Sequence, residues 1–325
     1  MHYIIIGIHF DKLEDYRGIT ISSVLSKNFE MFLLSFLKPY LVTSERQYGF
    51  KKGVGCSNAI HTAKSVIDYY TSNGSTVNIC TLDLTKAFDN MNHFILLNKL
   101  MDLKIPPGYI SIIKCWYEKL TIAVKWGSSI SKFLTIHAGV RQGGILSPFF
   151  FAIFVDGCLK KLTKCKFGCY IKGLCMNSIM YADDLILISI SLKHMQSMVD
   201  LCASEFEFIG MNINIKKSGC MRIGPRHTND VTSICLNAQP LKWLQELKYL
   251  GIHLLSANRF TFNLQVFKHK YYCALNSRFG KIGVSSSPAV LCSLINSFCV
   301  PILMYASEVL KSSSKDLRSM SFVYN

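Results

Sequence analysis

Two adjacent carboxylates set in an apolar run restrict this chain more than any other feature: Ser178-Ile-Met-Tyr-Ala-Asp-Asp-Leu-Ile-Leu-Ile-Ser189. Asp183 and Asp184, flanked by Ile179, Met180, Leu185 and Ile186, repel each other and lose hydration. A bare pair there is unfavourable unless a cation, or one shared proton, lies between them. A β-hairpin with the pair at its tip lets both reach one site, although alternate strand residues point oppositely. The competing reading is a solvated turn, because Asp is common in turns.

Composition sharpens the point. Of 325 residues, 20 are Asp or Glu and 36 are Lys or Arg, for a net charge of +16. Acids are scarce, so clustered carboxylates need a reason. A pI near 9.3 argues for a polyanionic partner, either nucleic acid or an acidic membrane surface. Half the residues are apolar and 17% are charged, which excludes a wholly disordered chain. The length suits two or three lobes at about 100–200 residues per domain.

Thirteen cysteines run from Cys56 to Cys299 without a repeated C-x-x-C, as in a reduced intracellular chain. Cys158, Cys165, Cys169 and Cys175 are irregularly spaced, which favours small buried hydrophobes over a zinc site. The longest apolar run, Phe149 to Val155, falls far short of the roughly 20 residues that span a bilayer. A soluble protein is expected.

Periodicity predicts helices over 19–41, 58–70, 89–103, 109–120, 147–162 and 192–209, with a helical tail from about 262. Asp89 is expected to initiate the third of these, and Ser147-Pro148 to open the fifth. Strands are expected at Ile4–Ile6 and 76–84, with hairpins at 121–137 and 248–254. A short strand bearing Lys216 and Lys217 should end at Gly219. Strands alternate irregularly with helices and hairpins dominate the centre, so the fold class is α+β.

Asp83 lies where a buried strand breaks toward a helix, a common ligand position in α/β arrangements. Three carboxylates on two strand ends would suit two Mg²⁺ ions about 3.5–4 Å apart, clamping an in-line phosphoryl displacement. Gly139-Val-Arg-Gln-Gly-Gly144 lacks a Gly-Lys-Ser/Thr and is not a P-loop. It offers closely approaching backbone and one planar polar side chain, Gln142. Alone, it also fits a hairpin-to-helix linker.

Together these segments resemble a reverse transcriptase, most closely that of non-LTR (LINE-type) retrotransposons. The matching residues run in family order: Asp15-Tyr-Arg-Gly-Ile-Thr20, Gln47-Tyr-Gly-Phe50, Leu82-Asp-Leu-Thr-Lys-Ala-Phe-Asp89 and Gly139-Val-Arg-Gln-Gly-Gly-Ile-Leu-Ser-Pro148. Tyr181-Ala-Asp-Asp184, Gly210-Met-Asn-Ile-Asn-Ile-Lys-Lys-Ser218 and Tyr249-Leu-Gly251 follow. The resemblance implies a right-hand polymerase with fingers over 1–75, palm over 76–254 and a partial thumb over 255–325. It implies an RNA-directed DNA polymerase, a nucleotidyltransferase acting on an RNA template, a DNA primer and dNTPs.

By resemblance, Asp83, Asp183 and Asp184 would hold two Mg²⁺ ions, with Mn²⁺ as the substitute. Phe88 would be the steric gate against a 2′-hydroxyl, and Gln142 and Gly143 would contact the incoming nucleotide and template. Lys217, with Lys216 as its rival, would be the general acid to pyrophosphate. Arg17, Lys51 and Lys52 would meet triphosphate or template phosphate, and Tyr249-Leu-Gly251 would form the primer grip. A nuclear location follows from the resemblance alone.

Two departures qualify the match. Met1–Glu14 carries one Lys or Arg, Lys12, and the residues from about 255 match only the start of a thumb. The expectation is the polymerase core of a longer element or a shortened copy. The alternatives are a non-catalytic nucleic-acid-binding remnant and a group II intron reverse transcriptase.

Overall fold

The computed structural model describes residues 3–6, 18–282 and 287–309. Strand β1 (Tyr3–Ile6) pairs antiparallel with β2 (Gly18–Ile21). Helix α1 (Val24–Leu37) follows, with the Ser23 hydroxyl accepting from the Ser26 amide at 3.2 Å. The helix expected over 19–41 is therefore shorter, because Ile19 to Ile21 join a strand. Its buried stripe is Ser26, Glu30, Leu33 and Leu37, while Leu25 and Phe32 are 82% and 66% exposed. Helical spacing located the helix, but most of its apolar residues face outward, and the side that faces the protein carries two polar side chains.

Helix α2 (Cys56–Ser72) leads to β3 (Val77–Asp83), then α3 (His93–Asp102) and α4 (Pro107–Glu118). Asn92, not Asp89, caps α3: its side-chain oxygen accepts from the Phe94 and Ile95 amides. Strand β4 (Thr121–Trp126) pairs with the short β5 (Ser129–Ile130) and β6 (Leu134–Thr135), and lies parallel to β1. Helix α5 (Ser147–Lys164) is buried nearly all round, with Phe150, Phe151, Phe154 and Leu159 inaccessible, as an apolar central helix must be.

A small hairpin of β7 (Tyr170–Ile171) and β8 (Leu174–Cys175) precedes β9 (Ser178–Tyr181) and β10 (Asp184–Ser189). Helix α6 (Leu192–Phe208) and β11 (Gly219–Ile223) follow. Lys216 and Lys217 lie in a turn, and Gly219 begins a strand instead of ending one. Beyond lie β12 (Cys235–Leu236), β13 (Gln239–Pro240), β14 (Glu246–Tyr249), β15 (Ile252–Leu255) and β16 (Thr261–Phe262). Helices α7 (Leu264–Ile282), α8 (Pro288–Leu294) and α9 (Val300–Met304) complete the described chain.

The central sheet runs β11-β3-β10-β9, antiparallel throughout. Its two faces explain why β3 and β10 read as continuously apolar. Cys80, Leu82, Leu185 and Leu187 join one core with α3, α5 and α6. Ile79, Ile186 and Ile188 join a second core with α2, β14, β15 and α7. Alternation with period 2 on a strand covered on both sides requires apolar residues at every position. The mixture of helices and antiparallel sheets matches the α+β expectation. No described helix is long and apolar enough to cross a membrane.

Candidate active site

Asp184, the first residue of β10, lies directly opposite Asp83, the last residue of β3. Facing residues of an antiparallel pair share one side of the sheet, so the two carboxylates stand on the same face. Asp183 sits beside them in the turn between β9 and β10, after Ala182 at φ +56°. The backbone of Asp83 is held from both sides: its N–H donates to Ser218 Oγ at 3.1 Å, and its carbonyl accepts from the Asn214 amide at 2.7 Å. Among the described residues, no group of three or more His, Cys, Asp or Glu side chains is placed to hold a metal ion.

The acidic turn is clamped by Gln47, which is wholly buried. Its Oε1 accepts from the Ala182 amide at 3.1 Å and from the Gly49 amide at 2.9 Å, while Nε2 donates to the Ala182 carbonyl at 3.3 Å. Tyr48 and Arg46 extend the attachment by backbone bonds to Met180 at 2.7 and 2.9 Å. A side chain at Gly49 would place Cβ 2.5 Å from Ala182 N, so only glycine fits.

The Gly139–Gly144 segment is bonded to the stretch after β3. Gly139 N–H donates to the Met91 carbonyl at 2.7 Å and Val140 N–H to the Phe88 carbonyl at 2.8 Å. Gln142 Nε2 donates to Asp89 Oδ1 at 2.9 Å, and the Gln142 carbonyl accepts from the Thr20 amide at 2.8 Å. Asp89 thus serves this loop and not the helix start. Gly143 is exposed at φ +109°, a conformation few residues other than glycine adopt. Phe88 is half-buried, stacked on Phe151 at 4.3 Å and edge-on to Phe50 at 6.2 Å. It precedes α3 in a turn and packs against the core while keeping part of its ring open.

The family profile for reverse transcriptase (RNA-dependent DNA polymerase) matches residues 10–254. The chain belongs to the reverse transcriptase family. It is 26% identical over 256 residues to the Pol polyprotein of the type-2 retrotransposable element R2DM of Drosophila melanogaster. That match covers 76% of this chain and 24% of that protein. It is 24% identical over 279 residues to the RNA-directed DNA polymerase from mobile element jockey of Drosophila funebris, covering 80% of this chain and 29% of that protein. The chain therefore spans about a quarter of the length of these curated relatives. The fold is similar to telomerase from Candida tropicalis solved with a fragment of telomeric RNA: TM-score 0.54, 13% identity, covering 98% of this chain and 55% of that one. That likeness gives a right-hand polymerase fold.

The other positions that the reverse transcriptase resemblance singles out divide into near and remote. Lys217 is exposed on the turn 214–218, the turn bonded to Asp83 on both sides. Lys51 is half-buried and donates to the Ser44 carbonyl at 2.7 Å; burial lowers its pKa, and Asp156 and Glu45 oppose that shift. Lys52 is exposed, and Arg17 lies outside the described residues. Tyr249-Leu-Gly251 forms the β14–β15 turn, with Leu250 at φ +43° and Gly251 at φ +82°. The Tyr249 hydroxyl is buried without a hydrogen-bond partner; burial pushes its pKa up, and the Asp184 carboxylate adds to the shift.

Sequence reasoning missed three contributors. Tyr305 donates to the Leu250 carbonyl at 2.8 Å and fixes that turn; burial lifts its phenol to about 12, with Cys56 and Tyr181 adding to the rise. Gln47 was legible as a motif residue but not as the clamp of the acidic turn. Glu30 and Arg141 form a buried ion pair beneath the Gln142 loop. Burial draws the Arg141 guanidinium down to about 10, so it stays charged at neutral pH. The one signal for that pair was a Glu in the apolar spacing of α1.

Proposed function

We propose that the chain is an RNA-directed DNA polymerase that extends a primer 3′-hydroxyl with dNTPs on an RNA template. The observation that carries this reading is the register that sets Asp83 opposite Asp184 beside the Asp183 turn. In this reading residues 1–75 are fingers, 76–254 the palm and 255–325 the start of a thumb.

Asp83, Asp183 and Asp184 fit Mg²⁺ by chemistry: hard carboxylate oxygens for a hard cation. Mg²⁺ in polymerase sites is held by one or two carboxylates plus substrate phosphates, not by an all-protein cage. When bound, two such ions supply charge neutralisation for in-line attack of the primer hydroxyl on the α-phosphate. The protein supplies position. Gln47 holds the acidic turn, and the backbone around Gln142 and Gly143 approaches the nucleotide. Phe88, backed by Phe151, lies under the sugar. Lys217 gives its proton to the departing pyrophosphate. The basic surface implied by a net charge of +16 attracts the template and primer backbones.

The test is primer extension on an RNA template with Mg²⁺ and dNTPs, comparing the protein with Asp183→Ala. Extension by the parent and none by the variant is expected. Equal extension by both sinks the assignment. Salt-sensitive nucleic-acid binding by both, without extension by either, moves the reading to a non-catalytic binding module.

A further inference from the structure

Beneath the Gln142 loop, Glu30 of α1 and Arg141 are 2% and 6% exposed and form an ion pair. Arg141 also donates to Ser26 Oγ at 2.9 Å, one turn earlier on α1, and its guanidinium lies 5.3 Å from the centre of the Trp116 ring. The second oxygen of Glu30 accepts from the amides of Ile145 at 2.6 Å and Leu146 at 3.2 Å. Those amides immediately precede α5, whose N-cap, Leu146, has no side-chain bond. A carboxylate is favoured at a helix N-terminus, where unpaired N–H groups meet the positive end of the dipole. Ser147, expected to open this helix, lies buried inside its first turn.

One carboxylate therefore holds both ends of the segment 141–146. It grips the guanidinium at the start and the two amides at the end. The bridge needs Gly144, whose Cβ would stand 2.5 Å from Ser147 Oγ and 3.3 Å from Glu30 Oε2. Between the two anchors lie Gln142 and Gly143, with the Gln142 carbonyl further tied to Thr20. Three of the Glu30 and Arg141 partners are on α1 or the α5 approach, so the loop cannot shift without breaking a buried charge pair.

We propose that Glu30 and Arg141 are positioning residues that fix the Gln142–Gly143 backbone for the incoming nucleotide. This rests on the polymerase reading above. Neither side chain touches substrate; both act through the loop they hold. A guanidinium suits this place because its planar fork bonds the carboxylate and Ser26 together while lying on Trp116, a geometry that the single point of a lysine ammonium matches less well.

The test has two arms: steady-state primer extension with varied dNTP, and amide hydrogen exchange over residues 140–147 without substrate. Glu30→Gln and Arg141→Lys are expected to raise dNTP KM about tenfold with kcat changed less than about twofold, and to speed exchange at Ile145 and Leu146. Glu118→Gln, an exposed carboxylate paired with Lys114, serves as the control and should change neither. Unchanged exchange in Glu30→Gln, or equal losses of kcat and kcat/KM, would overturn the proposal. If Glu30→Gln does not fold, Ser26→Ala removes one partner without stranding a charge and should move KM and exchange the same way by about threefold; no movement in either overturns the proposal. If the parent does not extend a primer, the polymerase reading fails, and the exchange arm alone decides whether the pair holds the loop.

Discussion

Gln47 bonds Ala182 twice, accepting from its amide at 3.1 Å and donating to its carbonyl at 3.3 Å. The residue before Asp183 is thus locked by an amide side chain far away in sequence. Gly49 lies against the same turn, with no room for a Cβ. Gly49→Ala forces backbone apart and should cost about 1–3 kcal/mol of stability. Primer extension should fall further than that loss explains, because the turn that carries Asp183 is displaced. Denaturant unfolding and extension measured side by side check this; an Ala variant with parental extension contradicts the clamp.

A single substitution separates the packing of Phe88 from the sugar-gate role proposed for it. Its ring stacks on Phe151, and part of it remains open. Phe88→Val should lose about 1–3 kcal/mol from the lost ring packing. It should also admit ribonucleotides, lowering the dNTP-over-rNTP ratio of kcat/KM at least about tenfold. Unchanged discrimination leaves Phe88 as a packing residue alone.

Tyr249 buries its hydroxyl without a hydrogen-bond partner. An unpaired buried hydroxyl is destabilising, so Tyr249→Phe should be neutral or raise stability by about 1 kcal/mol. Thermal unfolding of the two proteins checks this. A loss of more than about 1 kcal/mol would show that the hydroxyl is satisfied in solution.

Much of this arrangement was legible in the sequence because it is local. The paired aspartates within an apolar run imply a hairpin, and the apolar run over 76–84 implies a buried strand. Both readings hold, in β9–β10 and in β3. What failed depended on distant partners. Leu25, Phe32 and Phe36 have helical spacing but are exposed, and Ser26 and Glu30 face inward, where Glu30 pairs with Arg141. Asp89 looks like a helix cap, but its carboxylate accepts from Gln142, and Asn92 caps α3 in its place. A side chain whose partner lies 53 positions away, as for Asp89 and Gln142, or further, as for Glu30 and Arg141, carries no local signature.

The account stands on Asp83 and Asp184 serving one centre across paired strands, and Asp83→Asn tests it most directly. The amide keeps size and hydrogen-bonding capacity while removing the charge that a cation requires. Single-turnover extension of an annealed primer in Mg²⁺ should fall at least about a hundredfold, with the unfolding midpoint within a few degrees of the parent. Extension within about threefold of the parent would show that Asp83 lies outside the centre and would contradict the account.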